Sequence, residues 1–409
     1  MRLLLISDHA DPLAQPGSGF SGGQNVYVRN LAARLAAIRN TVDVVTRRES
    51  PALPHQQPIT DGARVVRVTA GACGPLPRDR FGEVLDAFTE GVDQVFRTDG
   101  PYDVVHSHYW YSGQTALALA ERHNVPVVHT HHSLGAVRRA AQGERLSAHA
   151  QDHFDVRHRA ESRIGQHAAA LVVNCPAEAY DAHRLCATPL ERVRLVPPGV
   201  DTSVLRPVPQ EEARAALGVP VGVPVVLFLG RLEQRKGWEE AVEAFALVRR
   251  RLPRARLVVV GGSAQSHGPG TGLLVALARE LGVLAGVDLR GSVPHEETAL
   301  YYNAADVTAV PSHYEPFGLV AVESMACGTP VAATRVGGLA WSVGDERVGA
   351  LVPARDSGAL GNALLGILDK GRAHFHQACL DRVASTFTAQ AWADGIREVY
   401  RSVSPLPRN

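Results

Sequence analysis

Short apolar runs recur along the chain, and between them apolar residues return every three to four positions. The runs at 3–7, 42–46, 63–68, 104–106, 127–129, 169–174 and 193–196 predict strands, with 104–106 and 127–129 reading as central ones. The stretches 24–37, 80–96 and 113–123 predict helices, the first with Val26, Leu31 and Leu35 on its apolar face. A second alternation begins with a strand at 225–229. It continues through helices at 238–250, 272–281 and 296–304 and strands at 255–261, 287–289 and 307–310. A helix at 319–326, strands at 331–333 and 349–352, and a largely helical tail over 360–403 complete it. Strands alternating with amphipathic helices specify parallel sheets in an α/β chain.

Pro197-Pro198-Gly199-Val200-Asp201 and Pro207-Val208-Pro209 separate the two alternations and read as a linker. A chain of 409 residues accommodates two domains of about 200 residues each. The expected division is residues 1–203 and 204–387, each a Rossmann-like doubly wound sheet. Residues 388–409 are expected to carry a last helix back against the first domain. Two such domains facing each other place a ligand crevice between the carboxyl edges of their sheets.

Composition changes this picture little. With 45% hydrophobic and 20% charged residues the chain is an ordinary soluble globular protein, and a net charge of +1 offers no field for nucleic acid or an acidic membrane. The apolar N-terminal run is too short for a signal peptide, and no stretch approaches about 18 consecutive apolar residues. The 5 cysteines are scattered and form no C-x-x-C pair, which fits a reducing cytoplasm better than a zinc ribbon or disulfide framework.

Candidate chemistry centres on Ser312-His313-Tyr314-Glu315-Pro316-Phe317-Gly318-Leu319, followed by Glu323. Glu315 falls on a strand-to-helix loop and Glu323 about one turn into the helix. Between them a helix N-terminus offers free amides and a favourable dipole to an anion. Two carboxylates around an anion-binding turn suit a ligand with hydroxyls at both ends and a diphosphate between, such as a nucleotide sugar. A helix cap and a solvated carboxylate explain the same pair when it is taken alone. Gly230-Arg231-Leu232-Glu233-Gln234-Arg235-Lys236-Gly237 follows the first strand of the second half and carries two cations that could meet a diphosphate; a charged solvated turn is the alternative. Gly17-Ser18-Gly19-Phe20-Ser21-Gly22-Gly23-Gln24-Asn25 follows the first strand of all. It allows close backbone approach to a ligand but lacks the spacing of a nicotinamide-dinucleotide loop. His106-x-His108 and His129-x-His131-His132 close central strands without a matching carboxylate or cysteine set, so no metal is assigned. No Asp-x-Asp occurs to bridge a metal to a sugar diphosphate.

Five motifs occur in a fixed order: Asp11-Pro12-Leu13-Ala14-Gln15-Pro16-Gly17; Gly22-Gly23-Gln24-Asn25-Val26-Tyr27-Val28; His106-Ser107-His108-Tyr109-Trp110; Gly230-Arg231 with Lys236-Gly237; and Glu315-Pro316-Phe317-Gly318 with Glu323. Together they resemble the retaining GT-B glycosyltransferases of family 4. Within that family the likeness is to the members that glycosylate 1L-myo-inositol 3-phosphate in the mycothiol pathway, and to sucrose-phosphate synthase. The resemblance implies a metal-independent enzyme using a UDP-sugar (UDP-N-acetylglucosamine or UDP-glucose) as co-substrate, with no further cofactor. It implies that Glu315 holds donor-sugar hydroxyls, that Phe317, Gly318 and Leu319 bind sugar and diphosphate through their amides, and that Glu323 holds the ribose. Arg231 and Lys236 would neutralise the departing diphosphate, with Gly23 close to the same phosphate and His132 as the active-site histidine. His9, Asn25, Arg78, Tyr109, Ser133 and Arg163 occupy what look like the acceptor positions, and a homodimer is compatible with the resemblance. Arg78 replaces a lysine, Ser133 a threonine, and Phe20 an acidic residue of the family pattern. The Phe20 departure keeps open transfer to an unphosphorylated cyclitol or aminocyclitol; a sugar-diphosphate epimerase on the same architecture is the alternative from another class.

Overall fold

The computed structural model describes residues 1–14, 23–142, 148–262 and 270–404. The chain forms two compact units, Met1–Pro197 together with Gln390–Asn409, and Pro198–Ala389.

The first unit contains β1 (Arg2–Ile6), α1 (Gly23–Ala37), β2 (Thr41–Arg47), β3 (Gln56–Thr60), β4 (Ala63–Val68), α2 (Leu85–Asp99), β5 (Val104–His108), α3 (Trp110–His123), β6 (Val127–Thr130), α4 (Gly135–Gln142), α5 (Ala148–His167), β7 (Ala170–Val173), α6 (Pro176–Cys186) and β8 (Val193–Leu195). Their eight strands run β3-β4-β2-β1-β5-β6-β7-β8, parallel except for β3. Leu3, Leu4, Leu5 and Ile6 are all buried, as a strand covered on both faces requires. The helix expected over 80–96 is instead a 3-10 turn, Arg78–Val84, followed by α2; Val84 at φ −119° and ψ 5° leaves the helical path. β3 had no apolar signature because Gln56, Gln57 and Pro58 sit on the sheet edge, where a missing N–H is tolerated.

The second unit contains α7 (Gln210–Leu217), β9 (Val225–Leu229), α8 (Trp238–Arg251), β10 (Arg256–Val260), α9 (Thr271–Glu280), β11 (Val287–Gly291), α10 (Thr298–Ala304), β12 (Val307–Val310), α11 (Leu319–Ala326), β13 (Val331–Thr334), α12 (Leu339–Ser342), β14 (Gly349–Val352), α13 (Ser357–Lys370) and α14 (Arg372–Thr386). Its six strands run β11-β10-β9-β12-β13-β14, all parallel. The last helix, α15 (Ala389–Val403), places Trp392, Ile396, Val399 and Tyr400 in the core of the first unit with Leu3, Leu5 and Leu31. Those four positions form one helical stripe.

Both sheets change winding direction once. In the first the change falls between β1 and β5, and in the second between β9 and β12. Loops that leave the carboxyl ends of such strand pairs diverge to opposite faces and open a ligand site.

Candidate active site

In the second unit the loops leaving β9 and β12 meet. Lys236 closes a 3-10 turn, Gln234–Lys236, and its Nζ donates to Glu315 Oε2 at 2.5 Å. Burial by itself would raise the Glu315 carboxyl, but the Lys236 charge and hydrogen bond, with Arg235 nearby, hold it below the usual carboxylate range. Glu233 gathers the other two cations of the turn, Arg231 Nη1 at 2.7 Å and Arg235 Nε at 2.8 Å.

Two residues to which the sequence reading gave no role latch these loops. His313 donates its backbone N–H to Arg235 O at 2.8 Å, and its Nε2 donates to Glu240 Oε1 of α8 at 2.6 Å. The latch fixes where Lys236 meets Glu315. Glu240→Ala is expected to lower kcat roughly tenfold, the value of a buried charge-assisted hydrogen bond. Because the effect passes through Lys236, it should vanish in a Lys236→Ala background; steady-state kinetics of the four enzymes as a double-mutant cycle read this directly.

The turn into α11 is made by Gly318 at φ +92°, where an added Cβ would lie 2.4 Å from Leu339 Cδ2. The N-cap of α11 is Gly318, which has no side chain to cap with, and within the first turn the Ala321 N–H turns back to the Gly318 carbonyl at 3.0 Å. Phe317 is buried against Phe387, while Gly318 and Leu319 open the helix. Glu323, buried, accepts from the Tyr302 hydroxyl at Oε2 (2.8 Å), and its Oε1 lies 3.8 Å from His295 Nε2.

In the first unit the imidazoles at the ends of β5 and β6 bond to one another and to hydroxyls. His106 pairs with the Tyr400 hydroxyl at 2.7 Å and Thr130 Oγ1 at 2.9 Å. His108 Nδ1 meets His132 Nε2 at 3.0 Å, and His129 bridges Ser107 Oγ (2.8 Å) and His131 Nδ1 (3.1 Å). Burial drives His106 and His131 down to about 3 and His108 and His129 well below the ordinary range. His132, at φ +59° and edge-on to Tyr27, is likewise lowered to about 3 by burial, so near neutral pH it is a neutral hydrogen-bonding group.

These histidines make stability fall on acidification. The unfolded chain protonates each imidazole near its ordinary value of 6.5, whereas the folded chain keeps the buried ring neutral. Below that pH the unfolded state therefore binds more protons. Each of His106, His108, His129 and His131 then removes up to about 1.4 kcal/mol per pH unit. Urea unfolding from pH 8 to pH 5 should show proton uptake on unfolding that grows below 6.5; a flat profile would contradict neutral burial.

The acceptor positions expected from sequence divide in two. Tyr109, at φ +78° between β5 and α3, and Ser133, after β6, converge on Arg157 of α5. Arg157 is 1% exposed, stacks 4.9 Å over the Tyr109 ring, donates to its hydroxyl at 3.3 Å and to Ser133 Oγ at 2.9 Å, and pairs with Glu161 at 2.7 Å. His9 stands edge-on to Tyr109 at 4.8 Å. Asn25 is buried and donates to Asp11 O at 2.8 Å. Arg78 opens the 3-10 turn whose Asp79 carbonyl accepts from Tyr111 at 3.5 Å, and buried Arg47 holds the preceding loop through the carbonyls of Ala70, Ala72 and Gly74. Gly23 begins α1 with open space where a Cβ would be. Phe20, with the rest of 15–22, lies outside the described residues.

Arg163 is the exception. It sits on the same helix as Arg157, but six residues on is about 240° round. Its side chain is 62% exposed and pairs with Glu121 at 3.3 Å. The cation that stands beside Tyr109 and Ser133 is Arg157, and Arg163 does not reach them. Sequence reasoning missed Arg157 because α5 is polar on most of its surface; the spacing Arg157-x-x-x-Glu161 was the signal available.

Among the described residues, His158, Glu161 and Cys186 bring three potential metal ligands within 4.8 Å of one another. Glu161 is already taken by Arg157 and by the Gly135 N–H, and burial and the Glu161 charge push the Cys186 thiol up to about 12. A guanidinium beside a protonated thiol disfavours a cation there.

Two doubly wound α/β units, with a cation–carboxylate pair and a glycine-opened helix at the switch point of the second, match the GT-B class of glycosyltransferases. Comparison with known proteins agrees. Residues 209–378 match the model for glycosyl transferases group 1, and residues 21–204 that for glycosyltransferase family 4. The D-inositol 3-phosphate glycosyltransferase of Acidothermus cellulolyticus is 42% identical over 98% of this chain and 90% of its own length. Sucrose-phosphate synthase from Thermosynechococcus elongatus superposes with a TM-score of 0.88 at 37% identity, covering 98% of each chain. The Anabaena protein HepE, solved with UDP-glucose, shares the fold at TM-score 0.72 and 19% identity over 98% of this chain and 100% of its own. The chain belongs to glycosyltransferase family 4 and is a glycosyltransferase. No helix among the described residues is long and apolar enough to cross a membrane.

Proposed function

We propose that the chain transfers a hexose or N-acetylhexosamine from a UDP-sugar to inositol 3-phosphate, with retention of anomeric configuration and without a metal. The observation that carries the acceptor class is the Arg157–Tyr109–Ser133 corner, a buried guanidinium beside two hydroxyls, which suits a phosphate monoester. The name carried by the Acidothermus relative supports the same acceptor.

On the donor side, Glu315, kept ionised by Lys236, accepts sugar hydroxyls, and Glu323 with Tyr302 receives the ribose. An ammonium has three donors, so Lys236 retains two beyond its bond to Glu315 for diphosphate oxygens. Arg231 and the amides of Phe317, Gly318 and Leu319 add to that charge stabilisation, which serves the role a metal has elsewhere. The acceptor oxygen bonds to the anomeric carbon on the face from which the diphosphate leaves. The anomeric C–O bond breaks, and the acceptor proton passes to the departing diphosphate oxygen. His132 is neutral in this scheme and hydrogen-bonds substrate hydroxyls. Asn25, Arg78 and His9 complete the acceptor side.

A second reading, transfer to a hexose phosphate as in sucrose-phosphate synthase, is favoured by the full-length likeness at 37% identity. A product assay separates the readings: UDP-N-acetylglucosamine and UDP-glucose, each against inositol 3-phosphate, unphosphorylated inositol, 2-deoxystreptamine and fructose 6-phosphate. Turnover of inositol 3-phosphate is expected. Turnover of fructose 6-phosphate alone selects the second reading, and turnover only of an unphosphorylated cyclitol overturns both.

A further inference from the structure

Asp8, between β1 and His9, is wholly buried, and among the described residues no arginine or lysine pairs with it; the His9 imidazole lies against it instead. Burying a carboxylate without an arginine or lysine is costly, so its presence needs a reason. Both oxygens are engaged. The Ser112 hydroxyl donates to Oδ1, and His9 Nδ1 lies 2.7 Å from Oδ2. Ser112 is itself fixed by accepting the Asp8 N–H at 3.0 Å, and the Asp8 carbonyl accepts from the Arg47 N–H at 3.1 Å. The carboxylate therefore cannot turn away from the imidazole.

An ionised carboxylate only accepts hydrogen bonds, so the proton of this contact must sit on His9 Nδ1. A neutral imidazole held in that tautomer carries its lone pair on Nε2. His9 packs edge-on to Tyr109, whose hydroxyl belongs to the Arg157 corner. We propose that Asp8 is a positioning residue for acceptor recognition: it locks His9 as the Nδ1–H tautomer so that Nε2 accepts a hydrogen bond from an acceptor hydroxyl. This rests on the reading of the first unit as the acceptor side. Asp8 touches no substrate and acts through His9 alone.

The test pairs kinetics with ¹⁵N-histidine NMR of the full chain. The His9 signal, assigned by its loss in His9→Ala, should report the Nδ1–H tautomer in the unmodified protein. Asp8→Ala should move it toward Nε2–H and raise the acceptor KM roughly tenfold or more, with the donor KM unchanged. Asp8→Asn, whose amide carbonyl can still accept from Nδ1–H, should restore most of both readouts. Ser112→Ala, which loosens Asp8 without touching His9, should give a smaller shift in the same direction. If His9→Ala leaves the acceptor KM unchanged, the acceptor reading of this unit fails and the role with it. If His9→Ala raises that KM while Asp8→Ala changes neither the tautomer nor the KM, the acceptor reading stands and the positioning role is overturned.

Discussion

Lys236→Ala is expected to lower kcat by about a hundredfold or more, with a smaller change in the donor KM. In the proposed reaction the ammonium meets diphosphate charge that grows as the anomeric bond breaks, so its loss would be felt most in the transition state. A second signature separates this role from simple damage. Burial pushes the Glu315 carboxyl upward, and Lys236 is the largest influence opposing it. Without that charge Glu315 titrates higher, its protonated fraction at a given pH rises, and the acidic limb of the pH–rate profile moves to higher pH. Lys236→Arg should keep the limb in place while losing part of the rate, because a planar fork cannot reproduce a point charge at 2.5 Å from the same oxygen. A near-normal kcat in Lys236→Ala would remove Lys236 from the chemistry.

Arg157→Met is expected to raise the KM for a phosphorylated acceptor by about a hundredfold and to destabilise the fold by about 3 kcal/mol. The two effects have different origins. Stability is lost because Glu161, 1% exposed, keeps among the described residues only the Gly135 N–H as a hydrogen-bond donor when its guanidinium partner goes. Acceptor affinity is lost because the cation beside Tyr109 and Ser133 is gone. Arg157→Met combined with Glu161→Leu removes both buried charges, so it should recover most of the stability and none of the acceptor affinity. Thermal melts and acceptor titrations on the single and double variants separate the effects. Arg163→Ala, at an exposed surface pair, should change neither measurement.

Most of the second unit was legible in the sequence. β9, β12, β14 and α11 fall on the residues expected of them, because each is a short, mainly apolar run with a glycine or proline at one end. Lys236 and Glu315 could be named from their loops, and the structure brings them to 2.5 Å. In the first unit, β3 and α5 were not legible. Gln56-Gln57-Pro58 carries no strand pattern, and α5 offers Arg157, Arg159 and Arg163 within two turns without an apolar stripe strong enough to say which faces inward.

Local pattern thus determined the class of the protein: alternating apolar runs dictate parallel sheets, and glycine, cation and carboxylate at strand ends mark the loops on which the donor site is proposed. Pairings between residues far apart in sequence were decided by tertiary structure alone. Arg157 with Tyr109, His313 with Glu240 and Asp8 with Ser112 lie 48, 73 and 104 residues apart. Hydrophobicity and propensity are properties of a short window, whereas a buried charge is assigned by whichever partner the closed fold carries to within hydrogen-bonding distance.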